Sequence, residues 1–436
     1  MPPLLSLPVP SPARSSRVGS APRPAAPHPS AREWPALHGP VRAMLVGEPF
    51  DGRAAIDRVR VHAPRVGLGV LACVPARNEA ERIRRTLDAL AASLGRLDEA
   101  AGILVLANNC TDDTAERAWG WAREGSLPVA VCEARLAPTI ADAGHARRLA
   151  LDLGALVSGA DAVLLTTDAD TRVSRDWARR LVAPIRAGAG VAAGMIDVEP
   201  DEFAALPERV HAVERDERAL FRELARLWRL IVPDEPVSLA LRVGGASLAV
   251  GRAAYLRVGG MPALPVCEDR AMVARMLRHD ERVAFDPNAT IRTSCRLEAR
   301  AGGGMAGMLA RRIAEDDPDC DEELRGALDY AAACLAWRWL RGEGAAADAA
   351  ALGDALGVDP ALLEGLRALP HGEAWAALER EAPRRPRLRA SDVRRELRAA
   401  RALRRAIVAG GRPRWPALLE LVTRWRARAD ANGREG

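Results

Sequence analysis

Leu164-Leu165-Thr166-Thr167-Asp168-Ala169-Asp170 is a short apolar run, led in by Ala162 and Val163, that stops at two carboxylates one residue apart. Such a run reads as a buried central strand whose C-terminal end delivers acids to a crevice, where open α/β sheets bind ligands. Two oxygen-rich side chains there suit a hard divalent cation, and such a cation can hold the phosphates of a nucleotide. The same pattern also suits a plain strand-to-turn junction whose acids cap a helix, because Asp favours turns and caps. The neighbouring segments decide between the two.

Upstream, Val66 to Val74 reads as a buried strand that breaks at Pro75-Ala76-Arg77-Asn78. A helix is expected next, with Asn78 as N-cap, Glu81 as its capping-box partner, and Ile83, Leu87, Leu90 and Leu94 on one face. Gly67 and Gly69 do not form Gly-x-Gly-x-x-Gly before that helix, which argues against a dinucleotide fingerprint. A second strand, Ile103 to Ala107, runs into Asn108-Asn109-Cys110-Thr111-Asp112-Asp113-Thr114 and a helix carrying Trp119 and Trp121. This turn reads either as a capped βα junction or as a place where Asn108 and Asp112 hydrogen-bond a base. After a short strand at Val129 to Cys132, a helix from about Asp142 carries His145, Leu149, Leu153 and Leu156 on one face. Gly144 and Ala146 at its start leave room for a ligand, and Arg147 can reach a phosphate or sit solvated on the surface. Beyond the central strand, Ser174 is placed to cap a helix with Trp177, Leu181 and Ile185. The β-α alternation predicts a parallel sheet with flanking helices.

Downstream, Val191 to Ile196 is another strand, and residues 205–231 form a long amphipathic helix. Its polar face mixes Glu, Asp and Arg, so packing on its own sheet is favoured over a membrane surface, where a basic face is the rule. His211 and His279 read as structural or surface residues. Gly244-Gly245-Ala246-Ser247 opens a small-residue strand, and Cys267-Glu268-Asp269-Arg270 begins a helix, with its acids either capping it or facing a crevice. A strand at Val283 to Phe285 leads to Ser294, Arg296, Arg300 and Gly302-Gly303-Gly304, which reads as a flap, an anion-holding loop or a linker. From about 305 the chain is helical, with a break at Pro383-Arg384-Arg385-Pro386. Its last helices, 391–408 and 416–428, are strongly basic, which suits a solvated face, anionic lipid or an acidic partner.

The whole chain narrows the choice. Its 436 residues can bury a sizeable core, and the net charge of +5 is carried by Arg alone, because no Lys is present. That excludes a lysine Schiff base and a P-loop lysine. Basic residues are interspersed with acids, which does not favour a nucleic-acid partner. Seven scattered Cys form no Cys-x-x-Cys pair, so a reduced, cytoplasmic protein is expected. No apolar run approaches the roughly 18 to 20 residues of a membrane span, and Pro2, Pro3, Pro8 and Pro10 interrupt any leader-like apolar stretch. Residues 1–40, rich in Pro, Ala, Ser and Arg, are expected to be a disordered tail.

Taken in order, Pro75-Ala76-Arg77-Asn78-Glu79, Asn108 to Thr114, Asp168-Ala169-Asp170 and Glu268-Asp269 resemble the motifs of family 2 glycosyltransferases of the GT-A, nucleotide-diphospho-sugar fold. The resemblance covers about residues 66–304. It implies an α/β domain over 41–304, with a Rossmann-type, mostly parallel sheet flanked by helices, followed by a helical C-terminal extension over 305–436. It further implies that Pro75, Ala76, Arg77 and Asn78 lie along the nucleoside, with Asn108 and Asp112 near the base and Arg147 near the phosphates. Asp168 and Asp170 would bind ribose and, through Mg or Mn, the diphosphate. Asp269 would be the base that takes the acceptor proton, with Glu268 as the alternate.

The implied activity is inverting transfer of a single sugar from a nucleotide-diphospho-sugar to a hydroxyl acceptor, either a small molecule or lipid-linked. Peripheral membrane contact through the basic helices is compatible with that. Ala107-Asn108 stands where many relatives have paired acids, and the Gln-x-x-Arg-Trp motif of processive synthases is absent. Two other readings compete. A nucleotidyltransferase would show a Gly-rich first loop and a Lys for the triphosphate, and a catalytically silent sugar-nucleotide-binding or scaffolding protein would bind nucleotide without turnover.

Overall fold

Near-continuous apolar runs demand burial on both faces, and in the computed structural model they occupy the middle of one nine-stranded sheet. The structure describes residues 34–235, 244–297, 304–383, 386–411 and 414–432. The strands are β1 (Ala54–His62), β2 (Val70–Ala76), β3 (Ala101–Asn108), β4 (Val129–Leu136), β5 (Val163–Thr166), β6 (Arg172–Val173), β7 (Val191–Val198), β8 (Leu248–Gly251) and β9 (Val283–Thr293). Their order is β1-β4-β3-β2-β5-β8-β7-β9-β6. The heart of the sheet, β4-β3-β2-β5, is parallel, as the β-α alternation predicts. Beyond it β8 runs antiparallel between β5 and β7, β7 and β9 are parallel, and β1 closes the far edge antiparallel to β4.

Strand side chains alternate between faces, and β2 shows the result. Val70, Ala72 and Val74 join one core with Ile83, Leu87, Leu90, Trp177 and Leu181. Leu71 and Cys73 join the other with Leu149, Leu153, Tyr255 and Met272. Helices therefore cover both faces, the only arrangement that keeps such strands from water. The seven cysteines are all free thiols.

Several local expectations are corrected. Asn78 does not cap a helix. It sits in the left-handed region, at φ 55°, and the helix begins later, at Ile83 after Arg82. The helix Trp177–Arg186 follows Asp176 rather than Ser174. Asp142, by contrast, caps Ala143–Val157 by accepting from the His145 backbone N–H. A helix at Trp34–Val46 starts inside the stretch expected to be a tail, whose residues 1–33 lie outside the described residues. Arg300, Gly302, Gly303, Arg384 and Arg385 lie outside them too.

The long helix Glu208–Ile231 buries Leu220, Leu224, Leu227, Trp228 and Ile231. Its main partners are not the sheet but the helices Ala390–Ala409, Ala327–Trp339 and Gly304–Ala314, with Trp415–Asn432 packed behind Ala327–Trp339 in the same core. Full burial of each large apolar side chain is worth about 1.5–3 kcal/mol, so this stripe binds the C-terminal helices firmly. Basic side chains of those helices turn inward to acids: Arg394 pairs with Asp216 at 2.7 Å, Arg404 with Glu223 and Arg426 with Asp329. Among the described residues no helix is long and apolar enough to cross a membrane.

Candidate active site

Because β2, β3 and β5 are parallel and in register, their C-terminal ends reach the same edge of the sheet. Pro75, Ala76, Arg77, Asn108, Asp168 and Asp170 accordingly line one cleft of about 1320 Å³, together with Arg147, Glu268 and Asp269. The C-terminal edge of the parallel strands is where ligand crevices form in open α/β sheets. The helix Glu268–Arg278 enters from the opposite wall and presents its first two residues, after Cys267 turns the chain in the left-handed region at φ 61°.

Arg147 is the tie across this cleft. It is buried, not solvated, and its Nη2 donates to Asp168 Oδ1 at 2.7 Å while its Nε donates to Glu268 Oε1 at 3.0 Å. Nη1 donates to Thr166 Oγ1 and to the Gly245 carbonyl. Burial works against the charge, but Asp168 and Glu268 outweigh it and keep the guanidinium protonated. A Cβ on Gly245 would come 2.6 Å from the Arg147 guanidinium carbon, so only glycine fits beside it. Gly144 is small for a different reason than expected. A Cβ there would collide with the Leu264 carbonyl oxygen, so the space serves chain packing, not a ligand.

The two acids at the helix start differ. Glu268 is buried and held by Arg147; burial raises its carboxyl pKa, Arg147 opposes that, and Asp269 adds to it. Asp269 is half-buried, and among the described residues its oxygens accept from two backbone N–H groups, Gly245 at 2.6 Å and Arg270 at 2.7 Å. Each of its oxygens thus retains accepting capacity toward the cleft.

Asp170 lies in an acid-rich corner. Burial, with Asp168 and Glu79 nearby, pushes its carboxyl up to about 7, against the pull of Arg296 and Arg82. Arg296 grips Glu79 with both terminal nitrogens and lies 3.2 Å from Asp170. Glu202 fixes the segment beside it by accepting from Ser294 Oγ at 2.7 Å and the Cys295 N–H at 2.8 Å. Among the described residues, no group of three or more His, Cys, Asp or Glu is arranged to hold a metal on its own. Two carboxylates fit the other mode, in which Mg or Mn takes one or two protein oxygens and completes its shell with substrate phosphates and water. Burial is the main reason the Asp170 carboxyl is raised, and repulsion from Asp168 and Glu79 adds to it; a cation there would relieve that repulsion.

Asn78 and Asp112 are not among the residues lining the cleft. Asn78 Oδ1 accepts from the Thr111 N–H at 2.8 Å, and Asp112 accepts from the N–H groups of Thr114 and Ala80. They clamp the turn after β2 to the turn after β3. Arg77 does line the cleft and donates to the Ala141 carbonyl at 3.0 Å. The sequence reading missed Glu79 and Arg296 as members of the site, although Glu79 closes the Pro75 motif. It also missed Arg218, Arg222 and Arg229 on the cleft side of Glu208–Ile231.

Residues 72–243 match the family model described as Glycosyl transferase family 2. No curated protein matches the chain. Similar solved structures include residues 1–349 of TarS from S. aureus, 15% identical over 57% of this chain and 71% of that one, with a TM-score of 0.37. Mannosyltransferase PcManGT from Pyrobaculum calidifontis, in complex with GDP-Man and Mn2+, is 16% identical over 89% of this chain and 93% of its own, at 0.38. Glucosyl-3-phosphoglycerate synthase from Mycobacterium tuberculosis is 15% identical over 57% and 78%, at 0.34. The matched span, residues 72–243, is similar to glycosyl transferase family 2 and holds Asp168 and Asp170, the acids that follow β5.

Proposed function

We propose that this chain is an inverting glycosyltransferase that moves a single sugar from a nucleotide-diphospho-sugar to a hydroxyl acceptor. The observation that carries the reading is the meeting of Asp168, Asp170 and Asp269 on one cleft, with Arg147 tying Asp168 on one wall to Glu268 on the other. Pro75, Ala76, Arg77 and Asn108 form the floor on which the nucleoside would lie. Asp168 and Asp170 would hold a Mg or Mn ion, which when bound offsets the charge that gathers on the leaving diphosphate.

Asp269 is the base in this reading, and Glu268 is not, because Glu268 is engaged by Arg147 whereas Asp269, among the described residues, accepts from backbone donors alone. The acceptor O–H gives its proton to an Asp269 carboxylate oxygen as the acceptor oxygen bonds to C1 of the sugar. The bond from C1 to the diphosphate oxygen breaks on the opposite side, its electron pair leaving with the diphosphate, so the anomeric configuration inverts. Asp269 contributes through proton transfer, typically worth about 100- to 10,000-fold.

The test measures nucleoside-diphosphate release from a panel of sugar nucleotides with Mg, Mn or EDTA. Metal-dependent release from one donor, lost in Asp170→Asn, is the expected result. Asp269→Asn should retain nucleotide binding and lose transfer by about 100-fold or more. If no donor is cleaved and none shifts the melting temperature with metal, the reading is wrong.

A further inference from the structure

The half of the cleft beyond Asp269 is walled by the helix Glu208–Ile231 and by the helix Gly304–Ala314 that packs across it. Acids on this wall are already matched. Asp197 pairs with Arg218 at 2.8 Å, and Glu214 with Arg218 at 2.7 Å and Arg312 at 2.8 Å. Asp321 pairs with Arg270 at 2.8 Å, and Glu322 with Arg270 at 2.7 Å and Arg387 at 2.5 Å. Arg222, Arg229 and Arg311 also line the cleft, and among the described residues none of them meets a carboxylate. Among the described residues the Arg222 side chain makes one hydrogen bond, from Nε to the Arg218 carbonyl at 3.2 Å.

Arg222 and Arg229 are seven residues apart, two turns along one helical face and about 10 Å along its axis. Other arginines lining this cleft, Arg147, Arg218, Arg226, Arg270, Arg296 and Arg387, are paired with acids, so three exposed guanidiniums that line it unmatched leave a local surplus of positive charge. Guanidinium forks match phosphate oxygens, and a dianionic phosphate can satisfy more than one of them.

We propose that the acceptor carries a phosphate group, recognised by Arg222, Arg229 and Arg311, while its hydroxyl faces Asp269. This rests on the glycosyltransferase reading above and adds the chemical class of the acceptor. The phosphate belongs either to a water-soluble molecule or to a lipid headgroup, and the experiment separates these.

The full chain is loaded with UDP or GDP and Mn, so that the donor side is filled, and titrated with glycerol 3-phosphate against glycerol. In parallel it is mixed with phosphatidylcholine vesicles with or without phosphatidic acid. Phosphate-dependent binding is expected in one arm, which names the source. In Arg222→Gln/Arg229→Gln and in Arg311→Gln that affinity should fall at least about tenfold, since charge-assisted bonds are lost, while nucleotide affinity stays the same. Unchanged affinity in both variants overturns the proposal, and so does the absence of phosphate-dependent binding in both arms to nucleotide-loaded wild type. Failure to bind any nucleoside diphosphate is a different result, which overturns the glycosyltransferase reading and this proposal with it.

Discussion

Arg147 and Arg312 are both buried guanidiniums set between two carboxylates, and they do different things. Arg312 is wedged between Glu214 and Glu217, one turn apart on a single helix, with Glu217 fully buried. Its Nε finds no partner. Arg147 joins residues 168 and 268, which come from two distant parts of the chain, and every one of its nitrogens donates. Asp168 keeps 38% of its side chain exposed. A buried arginine between acids is therefore no sign of a site in itself. What separates the two is that Arg147 leaves its acids open to a cleft and fixes the spacing between its walls, whereas Arg312 staples one helix to another.

The contrast is most severely tested by Arg147→Met. Removing one partner of a buried ion pair costs about 3–5 kcal/mol, and the folded fraction should lose nucleotide release about 100-fold, because misplacing a reacting group by an ångström is that costly. Denaturant unfolding and release assays on the same samples check both numbers. Arg312→Met should lose a similar 3–5 kcal/mol, yet keep release per folded molecule within about threefold. Equal losses of release in the two variants would erase the distinction.

The smallest effect sharpens it through pH. With its carboxyl pushed up to about 7, Asp170 is protonated in the metal-free folded chain at acid pH. Its folded value lies above the unfolded one, so its contribution to stability is full below about 4 and is lost as pH rises from there to about 7. A metal needs the ionised form. Metal affinity should fall about tenfold between pH 8 and pH 6, and Asp170→Asn should abolish that slope while melting higher than wild type at pH 8 without metal. A slope that survives the substitution would assign it to another group.

Much of this was legible in the sequence, for reasons that can be named. Strands buried on both faces write themselves as unbroken apolar runs, so β2, β3 and β5 stood out, and parallel order then forced Asp168 and Asp170 to the same edge as Pro75 to Arg77. The acids at the start of Glu268–Arg278 were visible too. Arg147 was placed near the phosphates, but its burial between Asp168 and Glu268 was not visible, because in a chain whose positive charge is all arginine a buried guanidinium looks like any other. Arg296 could not be placed beside Asp170 either, since only the pairing of β9 with β7 and β6 brings it there. Caps failed at Asn78 and Ser174 for different reasons: Asn78 bonds Thr111 across two turns instead, and the buried Ser174 hydroxyl finds no partner among the described residues. The basic C-terminal helices read as a solvated face, and composition could not reveal that Asp216, Glu223 and Asp329 would pair with three of their arginines.

The placement of β8 has a practical meaning for anyone dissecting the protein. It lies between β5 and β7, so the sheet is completed by residues that come after the matched span ends at 243. Cutting there would leave two open strand edges in the middle of the molecule, and cutting at 304 would bare the leucine and tryptophan stripe of Glu208–Ile231. Either fragment should aggregate rather than fold. Recombinant work on this chain is thus committed to both parts together, and a lesion in the C-terminal helices will be felt as lost expression before it is felt as lost chemistry.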